Sequence, residues 1–400
     1  MLFRSNDGYF DHAPSFVAAD PKRSGTGGAS AGIDTGLEYS YATDELAQGV
    51  HAKEARSGPI GLGYRVPTIV ASPWSRGGWV NSQLFDHTST LMFLENFVQT
   101  KFGKEVREEN ISAWRRAISG DLSSCFRPHD SAEPKLDFLD RDRFVVGIQK
   151  ARYKEVPANY RALTPAAIEA INHNLENAEA MPHQEPGIRP SCALPYELYA
   201  EGGLSEDGST FKLSMKAGND IHGSRSAGAP FNVYLRNTTS GERRAKPKMI
   251  AASYAVKAGD TLHEEFPLSL FVDGRYSIDV HGPNGFYRSF SGDADARGLQ
   301  VRTVYERRGA QLTGNIQVQV RNSGATAVKI TVKDNSYKTG RQGKIVASAH
   351  ESSIPLLLDK SHGWYDFTVQ AEGFGTEVRF AGRVETGRSS FSDPVMGGLV

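Results

Sequence analysis

The chain has 400 residues, 39% of them hydrophobic and 23% charged, a composition typical of soluble globular proteins with sizeable cores. Its formal net charge is zero and its pI is about 7.2, which gives no electrostatic basis for binding nucleic acid. Its two cysteines, Cys125 and Cys192, are too few and too distant to indicate a disulfide framework or a zinc site. No apolar run approaches the roughly 18 residues of a membrane span.

The first motif is an Asn-Asp-Gly-Tyr-Phe-Asp-His run at residues 6–12. Carboxylates and an imidazole this close together are groups that converge on a phosphate or a divalent cation. His12 is therefore a candidate catalytic residue, and Asp7 and Asp11 are candidate metal ligands. The structural alternative is a strand end followed by a turn, which is the commoner meaning of an isolated Asp-His pair.

Residues 60–98 predict a strand, a loop and a helix in succession. The apolar run Thr68–Ala71 predicts a buried strand, which Ser-Pro at 72–73 ends. Apolar residues then recur at helical spacing, at Leu91, Leu94 and Val98. Thr88 or Ser89 is the expected N-cap of this helix. The loop would lie at the C-terminal end of the strand, where α/β folds place their functional sites.

Four polar side chains on and around that loop form a second candidate group: Arg65, Arg76, Asp86 and His87. Arg76, on a Gly-rich turn, would hold a phosphate by bidentate contacts. Asp86 and His87 would orient one another at the mouth of a catalytic site. The structural alternative has equal weight: Asp86 caps the following helix and His87 packs against the fold.

Two aromatic residues, Trp74 and Trp79, flank the same loop. Together they would form an aromatic wall that binds a quaternary ammonium head group through cation–π contacts. The alternative for both residues is burial in the core, which is the commoner fate of Trp in such loops.

Two further segments have structural interpretations. A helix is expected to begin after Ser112, and its Arg115 and Arg116 are expected to pair with carboxylates of neighbouring segments. Residues 131–190 are polar and charged and indicate a helical or irregular connector, with a helix that Thr164 caps.

After residue 190 the pattern changes to short alternating strands with Gly and Asn turns. Strands are predicted at Thr210–Met215 and Phe231–Leu235. A Gly-x-Tyr-x-x-x-Val strand, a Gly turn and a second aromatic strand occur at residues 274–290 and again at residues 363–380. Each copy ends a segment of about a hundred residues, so the sequence predicts two tandem β-sandwich modules.

These features together resemble bacterial phosphocholine-specific phospholipases C, of the phosphoesterase family that includes acid phosphatases of the alkaline phosphatase superfamily. The run at residues 6–12, the Gly-Tyr-Arg-Val-Pro to Asp-His-Thr-Ser block at residues 63–89 and the β modules carry the resemblance, in the family's order. Two independent matches favour the functional interpretation of the first motif over the turn.

The resemblance implies a fold and a set of boundaries. Residues 1–130 would be the C-terminal part of an alkaline-phosphatase-like α/β catalytic domain, and residues 131–190 the connector. Two all-β sandwich modules would follow at residues 191–296 and 297–400.

The function implied by the resemblance is hydrolysis of the phosphodiester of phosphatidylcholine or sphingomyelin, with release of phosphocholine. The expected partner is the phospholipid substrate or a membrane surface. The cofactor is left open, with a divalent metal as the candidate. Relatives are exported, so the full-length enzyme is expected to be secreted or periplasmic, although the chain begins with no signal peptide.

Two other functions remain open. A non-catalytic fragment would use its β modules to bind lipid or protein, with aromatic residues such as Phe286 and Trp364 exposed at loop tips. An acid phosphatase acting on monoesters would share the motifs, but would not need the tandem modules.

One departure from the family pattern concerns the residues before the first motif. The family has Tyr-Asp-Glu there, whereas this chain has Phe3, Arg4 and Ser5. Arg4 places a permanent positive charge where a cation would need a carboxylate. The family's nucleophile and remaining ligands also precede this segment. We therefore expect the chain alone to be inactive, as the product of a truncated gene that needs a missing N-terminal catalytic portion.

Overall fold

A computed structural model of the chain describes residues 15–63, 66, 68–129, 140–155, 161–174, 178, 186–238 and 248–400, with the backbone of Leu2–Phe3. This part of the chain is mostly β-sheet, with few helices. The region before residue 190 has short elements, and the region after it is β-rich. None of the described helices is long and apolar enough to cross a membrane.

The helices lie in the first half of the chain. They are α1 (Ala42–Ala47), α2 (Thr88–Phe102), α3 (Ala113–Ile118), α4 (Arg141–Ala151) and α5 (Pro165–His173). The short strands of the same half are β1 (Leu2–Phe3), β2 (Gly27–Ala29), β3 (Tyr39–Ser40), β4 (Gly58–Pro59) and β5 (Thr68–Ile69).

The predicted helix after residue 88 is confirmed as α2. Thr88 or Ser89 as its cap is wrong, whereas the alternative cap, Asp86, is confirmed. Asp86 caps the helix, because its Oδ1 accepts hydrogen bonds from the backbone N–H of Thr88 at 2.9 Å and of Ser89 at 3.2 Å. The hydroxyl of Thr88 donates to the same oxygen at 2.6 Å. The helix ends at Gly103, whose φ of 64° is the left-handed conformation that suits glycine.

The buried strand expected over Thr68–Ala71 is wrong in length and in burial. β5 has two residues, both exposed, and pairs antiparallel with β1. The strand stops because the carbonyl of Val70 accepts a hydrogen bond from the Ser75 hydroxyl at 2.7 Å rather than from a neighbouring strand. The α/β arrangement of this region stays a prediction.

Two capped helices are confirmed. The Ser112 hydroxyl accepts from the N–H of Arg115 at the start of α3, and the Thr164 hydroxyl accepts from the N–H of Ala167 at the start of α5. The sequence did not predict α4, every residue of which is exposed. The described part of the connector therefore contains two exposed helices.

The β-rich region begins with β6. Its strands are β6 (Pro190–Ser191), β7 (Leu198–Leu204), β8 (Thr210–Ala217), β9 (Ala229–Thr238), β10 (Lys248–Val256), β11 (Asp260–Pro267), β12 (Tyr276–His281), β13 (Tyr287–Gly292), β14 (Leu299–Arg308), β15 (Gln311–Asn322), β16 (Val328–Asp334), β17 (Arg341–Val346), β18 (His350–Leu356), β19 (Trp364–Ala371), β20 (Glu377–Arg383) and β21 (Ser390–Phe391). The strands predicted within β8, β9, β12, β13, β19 and β20 are confirmed.

The sheet order shows an internal repeat. One nine-stranded sheet has the order β17-β16-β19-β20-β13-β12-β9-β10-β2, and two three-stranded sheets have the orders β11-β8-β7 and β14-β15-β18. The seven strands β7–β13 therefore have the same connectivity as the seven strands β14–β20. The two sets meet where β13 and β20 pair antiparallel in the middle of the large sheet, with Arg288 opposite Phe380.

A single hydrophobic core lies against these sheets. Strand β8 shows how the sequence builds it: Phe211, Leu213 and Met215 are buried, whereas Lys212 between them is exposed, as the two-residue period of a strand requires. Phe286 and Trp364, which would need to be exposed for contact with lipid, are buried.

The N-terminal region is joined to the large sheet through β2, which pairs parallel with β10 at the sheet edge. Gly27 makes this approach possible. Its φ is 123°, and a Cβ atom there would lie 1.8 Å from the carbonyl oxygen of Ser253. Only glycine fits this position.

A buried carboxyl group, Glu385, links the two β modules to each other. Its Oε1 lies 3.1 Å from Nη1 of Arg383 and accepts from the Asn284 amide at 2.9 Å, and its Oε2 accepts from the N–H of Leu194 at 3.4 Å. Arg383 also donates to the Ser191 hydroxyl at 3.3 Å. Burial raises the pKa of Glu385 to about 7.

We predict that Glu385→Gln stabilises the chain more at pH 8 than at pH 5. The folded-state pKa lies above the ordinary value of 4.5. The protonated carboxyl therefore makes its full contribution to the free energy of unfolding below about pH 4.5. This contribution is lost as the pH rises through 7. The gain in the free energy of unfolding from Glu385→Gln should be larger at pH 8 than at pH 5 by at most about 3 kcal/mol, at 1.4 kcal/mol per pKa unit. Urea unfolding at both pH values measures it, with the exposed Glu377→Gln as control. An equal effect of Glu385→Gln at both pH values would contradict the prediction.

Candidate functional site

Arg115 on α3 is the centre of a buried ion-pair network. Its Nε and Nη2 each lie 2.8 Å from an oxygen of Glu38, which is only 3% exposed, and its Nη1 lies 2.6 Å from Oδ2 of Asp86. Nη2 also donates to the carbonyl of Gly61 at 2.6 Å, and the Ser112 hydroxyl donates to Glu38 at 2.6 Å. Burial alone would lower the pKa of Arg115, but the two carboxylates outweigh it and raise this pKa.

Arg116 makes a second, separate pair. Its two terminal nitrogens donate to the two carboxylate oxygens of Glu95 on α2, each at 2.8 Å. The guanidinium holds the pKa of Glu95 down at about 2. The expectation that Arg115 and Arg116 pair with carboxylates of neighbouring segments is confirmed.

Asp86 has both carboxylate oxygens engaged. Oδ1 caps α2 and Oδ2 binds Arg115, so the side chain holds the start of the helix to α3. His87 is exposed and directly precedes α2. This geometry favours a structural role for Asp86, and the catalytic roles of Asp86 and His87 stay predictions.

The loop at residues 72–79 is braced by Arg127. The backbone N–H of Arg127 donates to the carbonyl of Trp74 at 2.9 Å, and its Nη2 donates to the carbonyl of Arg76 at 2.7 Å. Its guanidinium carbon lies 4.2 Å from the centre of the Trp79 ring. Three of the predicted substrate-binding residues are thus brought together around one cation.

The surroundings of the three loop residues differ. One face of the Trp79 ring is covered by Arg127, which occupies the position that a quaternary ammonium group would need on that face. Trp74 is 52% exposed. Arg76 is exposed, and its guanidinium makes no ion pair among the described residues. Arg76 therefore presents an exposed positive charge, and Trp74 presents an open aromatic surface.

The candidate ligands of the first motif, Asp7, Asp11 and His12, lie outside the described residues, as does Arg65. Among the residues that the structure does describe, no cluster of three or more His, Cys, Asp or Glu side chains is arranged to hold a metal ion. The metal site therefore stays a prediction.

The two cysteines are buried thiols. The Asn81 amide lies 3.3 Å from Sγ of Cys125, and Nη1 of Arg127 lies 3.4 Å from Sγ of Cys192. Burial raises the pKa of both thiols, that of Cys125 to about 11. They are consequently protonated and unreactive at neutral pH.

Sequence reasoning missed Arg127 and Glu38, which organise the site. Neither belongs to a recognisable motif. Arg127 is 48 or more residues from every loop residue that it contacts, and Glu38 is 77 residues from Arg115. Only tertiary contacts identify them.

The profile of the bacterial phospholipase C C-terminal domain matches two consecutive segments of this chain, residues 190–293 and 299–383. The profile of the Phosphoesterase family matches residues 1–100. The chain therefore carries a segment of the Phosphoesterase family followed by two copies of the bacterial phospholipase C C-terminal domain. The two C-terminal matches coincide with the two sets of seven strands, so the repeat seen in the sheet order is also a repeat of one family domain.

Curated relatives match along nearly the whole chain. The non-haemolytic phospholipase C of Pseudomonas aeruginosa is 38% identical over 99% of this chain, which covers 52% of that protein. The haemolytic phospholipase C of the same organism is 34% identical, with coverages of 99% and 51%. The non-haemolytic phospholipase C of Burkholderia pseudomallei is also 34% identical, with coverages of 99% and 50%. The chain spans about half the length of these relatives.

We predict that Arg127→Lys loosens the loop at residues 72–79. Lysine keeps the charge but loses the planar stacking on Trp79 and the fork that reaches the Arg76 carbonyl. Amide hydrogen exchange of a peptide covering the loop should speed up about tenfold, because local opening is then about 1.4 kcal/mol easier. The control is Arg76→Lys, whose side chain makes none of these contacts. The prediction would be contradicted if the loop amides exchanged at the same rate in Arg127→Lys and in Arg76→Lys.

We also predict that Glu38→Ala destabilises the chain by about 3 kcal/mol, because it leaves the partly buried Arg115 guanidinium with Asp86 as its one remaining carboxylate partner among the described residues. Urea unfolding measures this change. Glu351→Ala, which removes an exposed partner 3.5 Å from Arg302, serves as control and should cost less than about 1 kcal/mol. If both variants lost a similar amount of unfolding free energy, the Arg115 network would stabilise the chain no more than an exposed ion pair does.

Proposed function

We propose that this chain is the C-terminal portion of a phospholipase C that hydrolyses the phosphodiester of phosphatidylcholine or sphingomyelin and releases phosphocholine. In this proposal residues 1–130 complete an alkaline-phosphatase-like α/β catalytic domain. Residues 131–190 are a connector, and residues 191–296 and 297–400 are two β-sandwich modules.

One observation carries the proposal: a phosphoesterase segment is followed by two copies of the phospholipase C C-terminal domain. The same order runs through relatives that are all named phospholipase C and match 99% of the chain. An acid phosphatase would have no need of the tandem modules, so their presence favours action on a phosphodiester.

The described side chains support a division of roles. Arg76 projects from a braced loop without an ion-pair partner among the described residues, which suits contact with the nonbridging oxygens of a phosphate. Trp74 offers a ring to the quaternary ammonium of the head group, and Trp79 fixes the loop beneath Arg127. Asp86 acts as a positioning residue, because it holds the start of α2 and therefore the adjacent His87.

Three residues of the proposed site belong to the first motif. Asp7 and Asp11 would bind a divalent metal in the intact enzyme, and His12 would take part in catalysis. In this setting a metal would stabilise the negative charge on the phosphate oxygens. Arg4, where the family has Asp, weakens this part of the site in the isolated chain.

The chain's proposed partners are a phospholipid surface and a catalytic portion equivalent to the half of the relatives that it does not span. We also propose an exported location, secreted or periplasmic, for the full-length enzyme. The non-catalytic alternative has less support, because Phe286 and Trp364 are buried rather than exposed to lipid.

The test uses p-nitrophenyl phosphorylcholine, a diester, and p-nitrophenyl phosphate, a monoester. We expect the 400-residue chain alone to hydrolyse neither above background. Co-expressed with the unmatched portion of the Pseudomonas aeruginosa non-haemolytic relative, it should hydrolyse the diester. Preference for the monoester would favour the phosphatase, and hydrolysis of neither by the pair would favour the non-catalytic fragment.

Within the active pair, Arg76→Ala should lower kcat/KM for the diester by about 100-fold, since one preorganised charged donor to a transition-state oxyanion is worth roughly this factor. The matched control is Arg341→Ala, an exposed cation on β17 outside the proposed catalytic domain. An unchanged kcat/KM in Arg76→Ala would remove this residue from the site.

A further inference from the structure

The outward side of α2 is apolar. Leu91, Leu94, Phe97 and Phe102 are between 42% and 58% exposed. Since successive helical residues turn by about 100°, these four side chains fall within an arc of about 140° on one side of the helix. The sequence pattern predicted a helix with an apolar face, and such a face normally packs against a core. Here it faces away from the described part of the chain.

The opposite side and one flank of α2 are fixed to the fold. Met92 and Ser89 are buried, Glu95 pairs with Arg116 on α3, and Asp86 caps the helix while bound to Arg115. Rotating the helix to bury its apolar stripe would break both ion pairs, each with a partly or fully buried carboxylate. The outward orientation is therefore enforced.

The apolar stripe is a continuous patch. Phe97 and Phe102 meet edge to face with ring centres 6.2 Å apart, and the Lys101 ammonium lies within 5.5 Å of both rings. Val106 beyond the helix is also exposed. In the β modules, by contrast, exposed apolar residues such as Met249, Val304 and Ile345 lie on different strands. Patches of contiguous apolar side chains mark interaction sites, whereas isolated residues do not.

We propose that the outward face of α2, formed by Leu91, Leu94, Phe97 and Phe102, is the docking surface for a second part of the phosphoesterase domain. The occupant is a polypeptide equivalent to the half of the relatives that this chain does not span. This inference rests on the proposed function, which assigns residues 1–130 to a catalytic domain. The match of residues 1–100 to the Phosphoesterase family includes nearly all of α2.

The charge of the helix favours a polypeptide over a lipid surface. Lys101 is the only basic residue between Thr88 and Phe102, and the only acidic residue there, Glu95, is paired with Arg116 on α3. Helices that lie on membranes typically carry several Lys or Arg residues on their polar face. A nearly neutral face of large aliphatic and aromatic side chains instead resembles one side of an intramolecular or permanent interface.

The experiment co-expresses the full 400-residue chain with the tagged portion of the Pseudomonas aeruginosa non-haemolytic phospholipase C that lies outside the matched segment. Size-exclusion chromatography with light scattering detects the complex, and titration gives its Kd. The variants are Leu94→Glu and Phe97→Glu, and the control is Ile345→Glu, which places the same charge on an exposed apolar residue of β17. All three positions are exposed, so thermal unfolding should be unchanged and confirms that each variant folds.

We expect a one-to-one complex with the native chain and with Ile345→Glu, and at least tenfold weaker binding with each helix variant. The proposal is overturned by the absence of a complex, or by a complex that both helix variants retain. It is also overturned if the helix variants abolish only self-association of the chain or its binding to phosphatidylcholine vesicles. A complex that depends on α2 but hydrolyses neither substrate would contradict the proposed function and would still support the docking surface.

Discussion

A buried guanidinium–carboxylate network, rather than a large hydrophobic core, holds the N-terminal region together. Arg115 binds Glu38, the Gly61 carbonyl and Asp86, three segments that are distant in sequence. The apolar cluster beside it has four described buried residues, Ala18, Trp114, Ile118 and Ala255. A buried charge is tolerated only when its partners are in place. The start of α2, and with it the region around His87, therefore takes its position from an ionic contact.

The β-rich half follows a different principle, the pairing of edges. In a single set of seven strands, β13 would be an edge with unpaired backbone groups. Antiparallel pairing of β13 with β20 removes that edge from both sets at once and unites their cores. Of the two ends of the resulting sheet, one is covered by β2 from the N-terminal region. The other, β17, carries Arg341 and Lys344, charges that discourage further strand addition.

Two sets of contacts order the candidate site and leave it one-sided. Arg127 shapes the loop that presents Trp74 and Arg76, and the Arg115 network fixes the inner side of α2. Neither set covers the outer side of that helix, where large apolar side chains remain exposed. The same ion pairs that order the site thus also orient an apolar surface outward, which is the physical basis for regarding the region as one component of a larger domain.

The sequence by itself determined the local and periodic features. Alternation placed the β strands, Ser112 and Thr164 marked two helix starts, and the repeated Gly-x-Tyr pattern revealed the tandem modules, because each depends on neighbouring residues alone. It also predicted that Arg115 and Arg116 pair with carboxylates, although not with which ones. Tertiary structure decided the rest: the contact of Asp86 with Arg115, the exposed two-residue β5, and the roles of Glu38 and Arg127. These outcomes depend on contacts between segments tens of residues apart, whose geometry no local pattern records.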